Sequence, residues 1–313
     1  MTENPPTSLV ARCPEDLLAM VPIVIGFPPQ ESVVMLTFGA RDTFHARVDL
    51  PDRAEDLEEL VRGLVGPARR NGVTSVVFVL YDEDADRAHR AWRALRRGFR
   101  AARIQVIDAL RSDGARWYPL LGGDARSREE GVPYDISGHP FVARAVLAGR
   151  VTRGSRAEVE ALLAQEPARA AEVEALVDDG PVPGPGWVGD LVARHVGART
   201  SPDDGEVARL LPALAVGERR DEAVTGLDRV SAQRHVDLWL DVLRRTPTAY
   251  VAPVAALLGL AAWQLGDGAL AWCAVDRCAE VDPEHPLMLF LASALTHALP
   301  PSAWTPGEEL SAS

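Results

Sequence analysis

Two hydrophobic periods divide the chain. Up to about residue 178, short apolar runs that read as strands alternate with stretches whose apolar positions recur every three to four residues. Pro14, Glu15 and Asp16 open a helix, with proline in the first turn and acids at its positive end, and Leu17, Leu18 and Val21 share one face. Pro22 kinks or ends that helix, and Gly26-Phe27-Pro28-Pro29 breaks it. Ser32 to Phe38 is a β-branched apolar run. Thr43 to Leu50 alternates, with Phe44, Ala46 and Val48 facing one way, so the two read as a hairpin about Gly39–Asp42. Asp52 is the expected N-cap of the next helix, paired with Glu55 in a capping box, and Leu57, Leu60, Val61, Leu64 and Val65 form its core stripe. Asn71-Gly72 stops it.

Val73 to Tyr81 is the strongest strand, continuously apolar in the manner of a central strand covered on both faces. A helix then runs to about Arg100 with Trp92, Leu95 and Phe99 inward, and Ile104 to Ile107 is the next strand. Arg116-Trp117-Tyr118 is a short edge strand, Gly122 to Gly138 a polar loop, and two helices follow, the second opening on the capping box Ser155-Arg156-Ala157-Glu158. The order β-β-α-β-α-β predicts an α/β domain: a hairpin plus a βαβαβ sheet with helices on both faces. The stretch Asp178 to Gly189, rich in proline and glycine, is the expected linker. Beyond it only the helical period remains. The expected organisation is therefore an α/β domain over 1–178, an all-helical domain over 187–300 and a flexible tail over 301–313.

The linker contains Gly184-Pro185-Gly186-Trp187-Val188-Gly189, a literal GxGxxG. A dinucleotide fingerprint needs a preceding strand, and none is read there, so no nucleotide cofactor is expected. The 313-residue chain holds no lysine; all 33 basic residues are arginine. That removes the defining residue of Walker A loops, protein kinases, pyridoxal enzymes and Schiff-base aldolases. The net charge of −12 disfavours broad binding to nucleic acid or to anionic membrane. No apolar run is read as long enough to span a bilayer, and no secretory leader is read at the N-terminus. The three cysteines, Cys13, Cys273 and Cys278, form no CxxC pair, so a reduced, cytoplasmic protein without structural zinc is expected.

Three sets of residues carry candidate chemistry. Asp82, Asp84 and Asp86 follow the central strand, and Asp49 and Asp108 end two others. Asp49, Asp82 and Asp108 converging at the strand ends would make a Mg²⁺-dependent hydrolase or nuclease-like site, against the plainer reading of helix capping and solvation. Arg87, Arg90, Arg93, Arg96, Arg97, Arg100 and Arg103 read as the outer, solvated face of one helix. Arg111, Arg116, Trp117, Tyr118, Tyr134 and His139 cluster after the last strand, a composition suited to a small-ligand pocket or an interface anchor. Arg219, Arg220 and Asp221 read as an ion pair joining helices. The seven histidines show no metal-binding spacing, and no serine sits in a GxSxG elbow.

DLLAMVPIVIGFPPQESVVM and RVDLP in the first half, with GERRDEAV (217–224) and AAWQLGDGALAWCAVDRCAEVDP (261–283) in the second, resemble in order and spacing the actinobacterial family of unknown function DUF4192. The resemblance spans nearly the whole chain and implies no reaction and no defined active site. The Cys-Cys-Pro that it would place in the middle loop is absent between Trp117 and Pro140. A second resemblance, to a single tetratricopeptide hairpin, covers the stretch from Val254 to Pro283: Leu258-Gly259 and Ala262 on the first helix, Gly266-Asp267 at the turn, Ala271 and Cys278 on the second, and Asp282-Pro283 at its close. Together these readings lead to a non-enzymatic module that binds a protein or small-molecule partner, with the carboxylate hydrolase as the alternative.

Overall fold

The structure, a computed structural model, describes residues 10–40, 44–147, 155–178 and 180–304. It forms two compact units that divide between Ser155 and Arg156.

The first unit is built on a six-stranded mixed sheet in the order β2-β1-β3-β4-β5-β6. Its strands are β1 (Ser32–Phe38), β2 (His45–Asp49), β3 (Ser75–Tyr81), β4 (Gln105–Ser112), β5 (Arg116–Pro119) and β6 (Val132–Pro133). β1 is antiparallel to both β2 and β3, which makes β2 and β3 run the same way on either side of it. β4 lies parallel to β3, and β5 and β6 add antiparallel neighbours. The expected hairpin and βαβαβ order are thus present, with β1 inserted between the first two parallel strands.

Helices cover both faces. α2 (Leu57–Arg70) and α3 (Ala85–Ala101) close one face through Leu60, Leu64, Trp92, Leu95 and Phe99 against Val33, Met35, Phe78 and Leu80. Gly98 lets them approach closely, since a Cβ there would lie 2.3 Å from Cγ1 of Val61. α1 (Pro14–Ile25) and α5 (Pro140–Leu147) close the other, with Leu18, Val21 and Phe141 on Val34, Leu36, Val79 and Leu110. The helix α1 runs through Pro22 and is ended by Gly26, whose N–H donates to the Pro22 carbonyl.

Several local expectations are corrected. Asp52 does not cap α2; a 3₁₀ turn at Ala54–Asp56 leads into it, and Asp52 accepts from Arg87 instead. The strand expected at Ile104–Ile107 continues to Ser112, because pairing with β3 and β5 satisfies its backbone on both sides. β5 is not an edge strand, since β6 pairs outside it, and the polar loop holds both β6 and α4 (Ala125–Glu130). Residues 41–43 of the expected hairpin turn lie outside the described residues.

The second unit is helical throughout its described residues. It holds α6 (Arg156–Leu162), α7 (Pro167–Leu176), α8 (Trp187–Ala198), α9 (Asp204–Leu214), α10 (Gly217–Glu222), α11 (Ala232–Arg244), α12 (Val251–Leu265), α13 (Gly268–Ala279) and α14 (Pro286–Thr296). α6 and α7, expected in the first domain, belong here, so the stretch read as a linker lies inside this unit. Arg156 pairs with Asp276 at 2.8 Å, the Glu166 N–H donates to Arg244 O, and Gln165 donates to Thr246 O, while Val159 and Val173 are fully buried. α12 is the hub, buried on nearly every side. Thr248–Leu265 is apolar and long enough to cross a bilayer by composition, contrary to expectation, yet 72% of it is buried within the protein, as a core helix would be. The expected tail begins in order: Pro301–Ala303 forms a 3₁₀ turn tied to α12 by Gln264 donating to Pro301 O; residues 305–313 lie outside the description.

Candidate functional site

β3 and β4 run parallel, and the crevice at the carboxyl ends of such strands is where open α/β sheets place ligands. Asp82 follows β3 with its side chain almost wholly buried. Arg87, on the first turns of α3, binds it twice, Nε to Oδ2 at 2.7 Å and Nη2 to Oδ1 at 3.0 Å. The same guanidinium binds Asp52 at 2.6 Å and Glu31 at 2.9 Å. These hydrogen bonds, Asp82's first, stabilise the charged guanidinium and raise its pKa further. Arg87 therefore locks together the start of β1, the end of β2 and the end of β3.

The carboxylate triad read from the sequence is not assembled. Asp82 is taken by Arg87, Asp49 is exposed and pairs with Arg47 at 2.5 Å, and Asp108 lies in the middle of β4 beside Val77, well back from the strand ends. Burial raises the Asp108 pKa, opposed by the Ala109 N–H that its carboxylate accepts. Asp84 caps α3 through the N–H groups of Asp86 and Arg87. Among the described residues, no group of three or more His, Cys, Asp or Glu side chains is arranged to hold a metal ion. Beyond Arg87, most of the arginine row on α3 is solvated, as expected for an outer face.

The six-residue cluster after β4 is split by the sheet. The Asp113-Gly114 turn pairs β4 with β5 so that Arg111 stands opposite Tyr118 and Ser112 opposite Trp117. On the α1 face, Trp117 Nε1 donates to Glu15 at 3.0 Å, Tyr134 OH shares a 2.7 Å hydrogen bond with Ser112 Oγ, and His139 Nε2 lies 3.1 Å from Asp16. The Asp16 carboxyl is held below its usual range, chiefly by the Arg12 backbone N–H, while burial raises the pKa of Tyr134. Each of these groups fixes a loop to α1 or β4. Arg116 is exposed and donates to the carbonyls of Glu130 and Gly131.

On the α3 face, Arg111 and Tyr118 line a cleft of about 290 Å³, together with Ala85, His89, Pro119, Leu120, Arg128 and Glu129. Arg111 is only 5% exposed. Its guanidinium carbon stands 3.9 Å from the centre of the Tyr118 ring, a stacked cation–π geometry, and Nη1 donates to the carbonyls of Asp82 and Glu83. Tyr118 in turn donates to Asp113 at 2.9 Å. Burial raises the Tyr118 pKa, and the Asp113 carboxylate adds to it. Burial would raise the Asp113 pKa, but the N–H groups of Arg116 and Ala115, the Tyr118 hydroxyl and the nearby charge of Arg111 outweigh it and hold the carboxyl low. Of the six residues read as a pocket, only Arg111 and Tyr118 share this cleft. His89 and Arg128 are not among the residues the sequence singled out, and neither is the Asp113-Gly114 dipeptide, the hairpin signal from which the Arg111–Tyr118 pairing could have been found.

In the second unit, Arg219 pairs with Glu222 at 2.8 Å, and Arg220 Nη1 lies 3.2 Å from His285 Nε2. The GxGxxG stretch is not preceded by a strand; the Gly186 N–H donates to Glu222. The family model described as Domain of unknown function (DUF4192) matches residues 14–182 and 187–302, and the chain belongs to that family. No curated protein and no solved structure matches it.

Proposed function

Proceeding from a family whose function is undefined, we propose that the chain is a non-enzymatic binding module of the cytoplasm, in which the α/β unit takes a small ligand in the cleft between β4, β5 and α3. The observation that carries this reading is Arg111: a buried cation lining a cleft, in direct contact with carbonyls and an aromatic face and in no ion pair among the described residues, Asp113 being near it but bonded elsewhere. Burying a charge without a hydrogen-bonded counter-charge is costly, and a bound ligand is a physical reason to retain it. The three cysteines, free thiols in the structure, fit a reducing compartment.

The helical unit supplies the second half of the proposal, a tetratricopeptide-like hairpin in which α12 is core and the outer face of α13, with Trp272 and Asp276, is left to a protein partner. Gly266 closes α12 in the left-handed region at φ 85°, Asp267 caps α13 by accepting the Leu270 N–H, and Ala262 and Ala271 are fully buried. A Cβ on Gly259 would lie 3.2 Å from Leu291 and 3.5 Å from Ala274, so small residues set the spacing of α12, α13 and α14.

Thermal melts of the full chain against anionic, neutral and cationic small molecules test the cleft. A ligand at a hundred times its Kd adds roughly 2.7 kcal/mol, a shift of about 4 °C if the whole chain unfolds together and more if the α/β unit unfolds alone. At least one class should raise the Tm, and Ala85→Phe, which fills the cleft from the start of α3, should abolish the rise. Stabilisation that survives Ala85→Phe, or none with any class, overturns the reading.

A further inference from the structure

We propose that the group recognised in this cleft is an oxyanion, the phosphate ester or carboxylate of a small molecule, with Arg111 as its buried anchor. The inference rests on the cleft being a ligand site and goes on to the chemistry of the ligand.

Arg111 forms none of the ion pairs among the described residues, and its Nε–H has no acceptor there. The two nearest acids in sequence are engaged elsewhere. Asp82 is held by Arg87 and by the Asp84 N–H. Asp113 accepts from Ala115, Arg116 and Tyr118. Nη1 is fixed by two carbonyls, and the plane of the guanidinium lies against Tyr118. The fork is thus oriented before any ligand arrives, and planar recognition of carboxylate or phosphate is what a guanidinium does best.

The rest of the lining supports the same sign. Ala85 is the first residue of the 17-residue helix α3, so the start of that helix meets the cleft, although the Asp84 carboxylate already caps the N–H groups of Asp86 and Arg87. Arg128 stands on the rim, its Nε and Nη2 donating to Gly122 O. His89 Nδ1 lies 2.6 Å from the Ala85 carbonyl and must donate to it, which leaves Nε2 as an acceptor in the neutral ring and a donor once protonated. Glu129 shares the rim and opposes an anion. That opposition gives the proposal a signed test.

Calorimetric titration of the full chain with inorganic phosphate and, separately, with succinate, at ionic strength matched with sodium chloride, distinguishes the two sources of the oxyanion. At least one should bind, and Ala85→Phe should abolish it. Glu129→Gln should tighten binding and Arg128→Ala weaken it, each by roughly threefold at low salt. Arg111→Lys keeps the charge but loses the fork and should weaken binding by at least about tenfold. If Arg111→Lys fails to fold, the two exposed rim variants decide. Binding indifferent to both rim charges, or a cleft that takes only neutral or cationic molecules in the Ala85→Phe-sensitive manner, overturns the oxyanion while leaving a ligand site in place. A cleft that binds nothing removes both.

Discussion

Among the described residues, each unit buries one arginine almost completely, and the two are treated in opposite ways. In the helical unit Arg245, 1% exposed, pairs with Asp204 at 2.6 Å and with Asp241, and also donates to Pro202 O. Its charge is cancelled within the fold, so it fastens α9 and α11 and leaves nothing for a ligand. Hydrogen bonding to Arg245 holds the Asp204 carboxyl low, as such a lock requires. In the α/β unit Arg111, 5% exposed, touches carbonyls and a ring but bonds to no carboxylate among the described residues, and the nearby Asp113 is engaged by other donors. A buried charge with its counter-charge is a structural tie. The same charge without a bonded one, lining a cleft, is a candidate for recognition.

Removing the two arginines gives the largest test of that contrast. Arg245→Met leaves two carboxylates facing a vacated, largely buried position and should cost about 3 kcal/mol in chemical denaturation of the full chain. Arg111→Met orphans only two carbonyls and should cost less, under about 2 kcal/mol. Equal costs would erase the distinction and make Arg111 a structural tie as well.

The packing of the units offers a second, smaller test. Ala271→Leu overpacks α13 against α12 and should cost about 1–3 kcal/mol. Gly266→Val should cost about 1 kcal/mol through its backbone alone, since a Cβ at φ 85° meets no atom within 4 Å. Hydrogen exchange of the full chain should show the loss in α12 to α14 and not in β1, β3 and β4. A neutral Ala271→Leu would undo the helix pairing and the tetratricopeptide likeness with it.

A further test is a dependence on pH that both units share. Burial pushes His45, in β2, and His235, in α11, each from 6.5 down to about 4. Because the folded pKa is depressed, it is the unfolded chain that takes up the proton first. Their contribution to stability is complete above pH 6.5 and is lost as the pH falls towards 4. Melts across that window should show Tm declining with acid, and His45→Gln or His235→Gln should each flatten the decline. An unchanged slope in either variant would mean that imidazole is not held neutral in the fold.

The local elements were legible in the amino-acid order because they depend on neighbours. The run Val76–Leu80 became the central strand β3, the stripe Trp92, Leu95 and Phe99 became the buried face of α3, and Asp84 became its cap. Period and capping are properties of a few consecutive residues, and they survive tertiary packing. What packing alone decided was which distant groups meet. Asp52 reads as an N-cap until Arg87, 35 residues on, claims it. Asp108 reads as a strand end until two flanking strands extend β4 past it. α6 and α7 read as the close of the first domain, yet their partners Asp204, Arg244, Thr246 and Asp276 lie far along the chain. Arg111 and Tyr118 were both singled out from the sequence, whereas their separation from Trp117, Tyr134 and His139 was not. Sheet register assigns alternate residues to opposite faces, and it is fixed only when the strands pair.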